Sequence, residues 1–490
     1  MKSNTNQAFW LGIGNFFSFG IMFCILGILS RVLSKTDYGT YRQIFYIYNT
    51  FLLVFSVGLP KSFSYFLPQV NLEEGSDLVR KINVVLFSAG LFISVFLFFG
   101  ADFISIVLNN KEVIIPLKCF SLVPVLMLPT LGLEAILSSY RETKLVAFYL
   151  FVTKSIQLVC VALPLLLCKP TVLVAVMGIT ISSFLSCIIA LYVKGIPYRH
   201  VVSVKSSIQY KDIIQYSLPL TLAGIAGIGI NAADQFFISR FWGADVFADF
   251  SNGSLQIPIV GMMTAATGGV LMPLFTEMLT KGEDRKNILG IWKRTFLKSA
   301  MIIYPIVAFC IVFASTIIVF VFGQEYETSA IYFQIMSIAN FFNIILFSPI
   351  LLAMGAIRFY QNVHIILMLS VWLFEYISVL VIQSPVAITI ISMLGIVAKV
   401  ITFLYFISRK MGVSIIELIP QKEISYLMLL SMILLSIESF LFNRYLPDMQ
   451  CFLKLFWAFA IYIICFVCIS EKIGLRYREL LKPLLTKFVK

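Results

Sequence analysis

The chain alternates long apolar runs with short polar turns from end to end. Each run has about 18 residues or more, enough to cross a hydrocarbon core of ~30 Å as a helix. A transmembrane β-barrel would instead show segments of ~10 residues with alternating polarity, and the sequence lacks them. Lipid gives the backbone no hydrogen-bond partner, so the runs predict helices. The pattern places about fourteen spans, near 8–30, 43–60, 82–108, 117–138, 146–167, 172–193, 213–240, 250–275, 296–321, 330–354, 362–382, 385–407, 424–442 and 453–470. The fold class is all-α integral membrane. The first run, from Ala8, has no small-residue cleavage site and many spans follow it, so it reads as the first span and not as a signal peptide.

Composition agrees with this pattern. Of 490 residues, 60% are hydrophobic and 12% charged, with 46 phenylalanines, which excludes a soluble protein. The nine cysteines lie almost entirely inside apolar runs. Cys465 and Cys468 fall on one face of a predicted span, so the cysteines read as small hydrophobes and not as a zinc loop. His200 and His364 are far apart in sequence with no ligand pattern around them, so no metal and no cofactor is expected.

The net charge of +13 raises the question of nucleic acid. Its distribution answers it. One set of alternate loops, with Lys2 and the tail from Lys472, holds roughly 26 Lys and Arg against 9 on the other side. By the positive-inside rule both termini are cytoplasmic, and the basic charge faces anionic lipid. The external loops are short, so no external catalytic domain is expected, and GxxxxGK[ST] does not occur. The tail "EKIGLRYRELLKPLLTKFVK" reads as an amphipathic helix lying on the inner leaflet.

The chain also repeats. "SRVLSKTDYGTYRQ" from Ser30 is echoed by "SRFWGADVFADFSN" from Ser239, pairing Arg31 with Arg240, Tyr38 with Phe247 and Gly39 with Ala248. "ILSSYRETK" and "LLAMGAIRFYQ" form a looser echo around Arg141 and Arg358. An even number of spans separates the echoes, which makes the repeat parallel, about an axis along the membrane normal. The reading is two six-helix lobes, 1–212 and 213–410, and then 411–490 with two further helices and the basic tail. Two like lobes around an axis are the architecture of an alternating-access transporter.

Ionisable groups at bilayer depth are costly and usually face protein or a wet cavity. In the seventh span Gly224, Gly227, Asn231, Asp234 and Gln235 recur at three and four, giving one small polar face. Lys154 and Gln157 share a face of the fifth span, and Lys399 lies in the twelfth. The two lysines either form a cationic surface for an anionic substrate, or they snorkel to the interface or pair internally with Glu134 or Glu375. Lys61 ends the second span and Asn15 lies in the first. Arg31 and Arg240, at outer ends, are candidates for an outer gate with Asp37 and Asp245.

"ILSRVLSKTDYGTYRQI", "VGLPKSFSYFLPQ" and "INAADQFFISRFWGADVFADF" resemble the polysaccharide-repeat flippases, the Wzx-type branch of the multidrug/oligosaccharidyl-lipid/polysaccharide exporter superfamily. The family often has a basic residue after the helix-7 aspartate, where this chain has Gln235. The resemblance implies a non-enzymatic flippase in the bacterial inner membrane. Its cargo would be undecaprenyl-diphosphate-linked oligosaccharide of an O-antigen or capsule, moved to the outer leaflet. It implies a monomer working with a polysaccharide polymerase and a chain-length regulator. Lys154, Lys399, Lys61 and Arg31 would serve the diphosphate, Asn15, Asn231, Asp234, Gln235 and Gln157 the cavity, and Asp234 an ion coupling. A drug/cation antiporter of the same superfamily is the alternative, and its cavity should be dominated by acidic residues. A polymerase would need a large external loop. The peptidoglycan-precursor flippases carry arginines in the first helix, and 8–30 has none.

Overall fold

The computed structural model describes residues 4–56, 58–344, 347–475 and 477. Among them every regular element is a helix. Contacts divide the chain into two compact units, Met1–Ala248 and Asp249–Lys490. The first contains α1 (Asn4–Val32), α2 (Lys35–Ser56), α3 (Leu59–Phe66), α4 (Leu72–Leu108), α5 (Ile114–Phe120), α6 (Leu122–Met127), α7 (Leu133–Ser139), α8 (Thr143–Leu167), α9 (Val172–Gly195) and most of α10 (Tyr210–Gly253). The second contains α11 (Pro258–Thr280), α12 (Arg285–Val312), α13 (Ala314–Phe322), α14 (Ser329–Ile338), α15 (Ser348–Ala353), α16 (Ile357–Val381), α17 (Pro385–Met411), α18 (Ile415–Leu418), α19 (Gln421–Tyr445) and α20 (Cys451–Lys472).

Among the described residues eleven helical stretches are long and apolar enough to cross a membrane. The three other expected spans are helical too: 43–60 falls on α2 and α3, 213–240 on α10, and 330–354 on α14 and α15. The protein is thus an all-α, multi-pass membrane protein, with about fourteen spans compatible with its helices. The expected tail helix lies largely outside the described residues, which end at 475 apart from Tyr477.

Local sequence explains where helices start and break. α4 begins ten residues before the expected span, with Glu73 and Glu74 in its first turn. There they oppose the positive end of the helix dipole, so the helix continues beyond the apolar run. The fourth expected span is interrupted. Pro116, Pro124 and Pro129 remove backbone donors, and Gly132 turns the chain at φ 78° between a 3₁₀ turn, Leu128–Thr130, and α7. The freed carbonyls of Pro129 and Leu131 accept hydrogen bonds from Lys194 Nζ at 2.7 and 2.6 Å. The corresponding span of the second unit also breaks, between α14 and α15, and there Tyr304 Oη donates to the Phe341 carbonyl at 2.7 Å. Broken spans survive in lipid only where neighbours satisfy the backbone in this way.

The echo of the opening motif has a structural counterpart. Leu33 and Ser34 separate α1 from α2, and α10 departs from helical geometry at Gly243, φ 79°. The two breaks fall at the same place in the paired stretches.

Candidate functional site

The first unit holds a cavity of about 250 Å³ built by α2, α5–α6, α8 and α9. Two features of these elements make room for it. The interrupted fourth span presents Phe120, Val123 and Met127 as one wall. α8 and α9 cross at Gly178, where a Cβ would sit 2.3 Å from the Cys160 carbonyl oxygen. Small residues at such crossings let helices approach closely.

The polar wall comes from α8 and α9. Lys154 lies in the middle of α8, and its Nζ donates to Gln157 Oε1 at 2.8 Å, one turn away. Thr153, Ser182, Ser183 and Ser186 supply hydroxyls around it, and α2 contributes Tyr48 and Asn49. Among the described residues no Asp or Glu lines the cavity. Lys154 forms no ion pair with a carboxylate among the described residues, so the expected alternative of a bridge to Glu134 is not what the fold builds. Lys154 thus stands at membrane depth bonded to an amide and surrounded by hydroxyls, the setting in which an ionisable intramembrane group faces a polar cavity. The three serines lie within five residues of an otherwise apolar span. That pattern is visible in the sequence, although the polar-face reading passed over it.

The other expected site residues fall elsewhere. Asp234, 4% exposed, accepts from the backbone N–H of Gln235 at 2.7 Å, and Gln235 Nε2 donates to the Asn231 carbonyl at 3.2 Å. This face of α10 packs toward α2, whose Tyr46 Oη donates to the Ala232 carbonyl at 3.3 Å. Asn231 is exposed and Gln235 half-buried. Asn15 is half-buried on α1, which packs on α8, and Lys61 is exposed on α3. Neither Asn15, Lys61 nor Asp234 lines the Lys154 cavity.

Arg240 does not pair with Asp245. Its guanidinium donates to the Ile106 carbonyl at 2.9 Å and to the Val107 carbonyl, closing the C-terminal turn of α4. A cation there meets unsatisfied carbonyls and the negative end of the helix dipole, a better-defined partner than an exposed carboxylate. Arg31, exposed, donates to the Gly27 carbonyl in its own helix at 3.0 Å.

In the second unit Lys399 is half-buried in α17 and acts electrostatically on His364 of α16. His364 Nδ1 lies 2.9 Å from the Tyr360 carbonyl oxygen, and both rings pack on Phe403. Glu375, 0% exposed, accepts from Ser392 Oγ at 2.8 Å. Lys399 forms no ion pair with it among the described residues.

Comparison with known proteins places this geometry. The sequence profile of a polysaccharide biosynthesis protein family matches residues 28–331, more than half of the chain. An uncharacterized membrane protein of Methanocaldococcus jannaschii is 23% identical over 133 residues, which is 27% of this chain and only 26% of that protein. Among solved structures, a lipid II flippase MurJ in an inward closed conformation is similar over 94% of this chain and 99% of its own. Its TM-score is 0.70 at 14% identity. An inward-facing MATE family multidrug transporter of the MOP superfamily is similar over 82% of this chain and 94% of its own, at TM-score 0.64 and 13% identity. A MOP superfamily transporter from Pyrococcus furiosus follows at TM-score 0.58 and 14% identity, over 82% and 94%. These identities show a shared fold.

Proposed function

Because the chain belongs to the polysaccharide biosynthesis protein family and has the fold of MOP superfamily transporters, we propose that it is a lipid-linked oligosaccharide flippase. It moves undecaprenyl-diphosphate-linked repeat units of an O-antigen or capsule from the cytoplasmic to the outer leaflet of the bacterial inner membrane. Both termini are cytoplasmic, as the loop charges suggest. The lobes 1–212 and 213–410 alternate access, with 411–490 appended.

The observation that carries the reading is Lys154: an intramembrane basic residue in a cavity whose polar wall is hydroxyls and amides and, among the described residues, no carboxylate. Diphosphate oxygens need a cation, and sugars need a wall of hydrogen-bonding groups. A drug/cation antiporter needs the opposite charge at that wall. Lys399 supplies the second cation and Lys61 a third at the basic end, while Arg31 gates the outer end. Asn15, Asn231 and Gln235 contribute polar contacts. With no P-loop in the sequence, the drive is an ion gradient, the membrane potential or consumption of the polymer outside, and Asp234 is the coupling group. The first helix carries no arginine from Phe9 to Ser30, which favours a polysaccharide repeat over the peptidoglycan precursor.

The test is the lipid-linked glycan pool in a strain lacking the gene. Complete repeat units should accumulate on undecaprenyl diphosphate in the inner leaflet, with surface polymer lost. Repeat units that reach the outer leaflet unpolymerised would point to a polymerase instead, and an unchanged pool with altered sensitivity to cationic drugs to an antiporter.

A further inference from the structure

Lys194, in the last turn of α9, is 2% exposed. Besides the Pro129 and Leu131 carbonyls, its Nζ donates to Asn83 Oδ1 at 2.8 Å, and it faces the Phe63 ring at 4.9 Å. All its acceptors are neutral, and it forms no ion pair with a carboxylate among the described residues. A buried amine matched only by dipoles has no opposite charge beside it.

Beside it opens a second cavity, of about 620 Å³, between α4, α6 and α9. Its polar end is Arg80, Asn83 and Lys194, and its apolar end is Val84, Phe87 and Leu191, which are exposed on the outer faces of their helices. Asp77, on the same helix as Arg80 and within its field, is bonded to other groups. It lies 2.7 Å from Lys81 Nζ and accepts the Ser206 backbone N–H at 2.9 Å. Arg80, exposed, therefore places a positive charge, with the amine of Lys194 beside it, at one end of a trough whose other end is apolar and open. The loop-charge asymmetry puts Arg80 and Lys194 on the cytoplasmic side, at the depth of inner-leaflet headgroups.

We propose that this cavity is a binding site for an anionic phospholipid of the inner leaflet. The phosphate contacts Arg80 directly and lies beside Lys194, whose three N–H groups are already committed. One acyl chain runs along Val84, Phe87 and Leu191. A lipid seated there bridges α4 and α9 beside the interrupted fourth span. This site is separate from the Lys154 cavity and does not depend on what that cavity carries.

The experiment uses the purified full-length chain and phosphatidylglycerol against phosphatidylcholine, with retained lipid counted by native mass spectrometry and affinity titrated in mixed micelles. Arg80→Gln should weaken phosphatidylglycerol binding about fivefold, the worth of one basic residue at a charged bilayer surface. Val84→Trp, which fills the trough and keeps Arg80 and Lys194, should also lower retention. Thermal unfolding in phosphatidylcholine alone should be unchanged in Arg80→Gln. Arg199, stacked on Tyr192 at 4.5 Å on the same side, is the control, and Arg199→Gln should have little effect. Equal losses from Arg80→Gln and Arg199→Gln would reduce the effect to diffuse surface attraction and overturn the proposal. So would wild-type affinity in both Arg80→Gln and Val84→Trp, or displacement of the lipid by glycerol phosphate as effective as by phosphatidylglycerol.

Discussion

Gln43 Nε2 donates a 2.8 Å hydrogen bond to Ser239 Oγ, joining α2 to α10 between two side chains with no exposed surface. Gln43 Oε1 in turn accepts from Asn110 Nδ2 at 2.6 Å, and Asn110 Nδ2 also reaches Thr40 Oγ1 at 3.0 Å. One amide thus ties together three segments distant in sequence. Ser239 opens the second copy of the repeated motif, and Gln43 closes the first. Gln43→Leu keeps the volume and strands donors and acceptors on both sides. It should cost about 1–3 kcal/mol, seen as a lowered thermal midpoint in detergent. An unchanged midpoint would mean that water replaces the amide.

Arg240 gives a sharper prediction, because two roles separate. As the cap of α4, its loss in Arg240→Met should cost about 1–2 kcal/mol, with Arg240→Lys retaining part of the dipole interaction. Asp245→Asn should then be near neutral. If Asp245→Asn destabilised the protein more than Arg240→Lys, the arginine would be acting through the carboxylate.

The α8–α9 crossing is set by Gly178. Gly178→Val places carbon against the Cys160 backbone, which has no freedom to yield. The expected cost is about 1–3 kcal/mol of overpacking. The Lys154 cavity lies between the same two helices, so transport should fall with stability. Full activity in Gly178→Val would show that the crossing does not shape the cavity.

A pH-dependent element lies outside the spans. Glu417 closes a capping box with Ser414 at the start of α18. Hydrogen bonds from the Ser414 hydroxyl and backbone N–H hold its carboxyl below the ordinary glutamate range, with Lys293 adding a smaller effect. A lowered folded-state pKa stabilises above the ordinary glutamate value, and the contribution is lost as pH falls through the folded value. Glu417→Gln should flatten that acid-side dependence, measured as thermal midpoint against pH. An identical slope in wild type and variant would assign the dependence to other carboxylates.

Much of this was legible along the chain. The apolar periods fix the helices, and Lys154 with Gln157 at a spacing of three was readable as one face because a helix places such residues together. What the sequence hides is which partner a charge meets. Lys194 counts as loop charge in the tally yet lies buried, because the interrupted fourth span offers it carbonyls that no local pattern predicts. Arg240 and Asp245 look like a pair at short range, but the end of α4, far away in sequence, offers better acceptors. Ser182, Ser183 and Ser186 carry a signal that was present and overlooked, since hydroxyls in an apolar run are usually satisfied by their own helix. Ser182 does donate to the Ile179 carbonyl at 2.8 Å.

The central claim is that Lys154 holds the anionic part of a lipid-linked oligosaccharide during its passage. The most direct measurement is translocation of fluorescent undecaprenyl-diphosphate oligosaccharide in proteoliposomes, scored by access of an external glycan-modifying enzyme, for wild type, Lys154→Glu and Lys399→Glu. The account predicts transport by wild type and loss of at least about tenfold in each charge reversal, as expected for replacing a charge-assisted contact by repulsion. Both variants should keep the wild-type thermal midpoint. Wild-type rates in both reversals would contradict it.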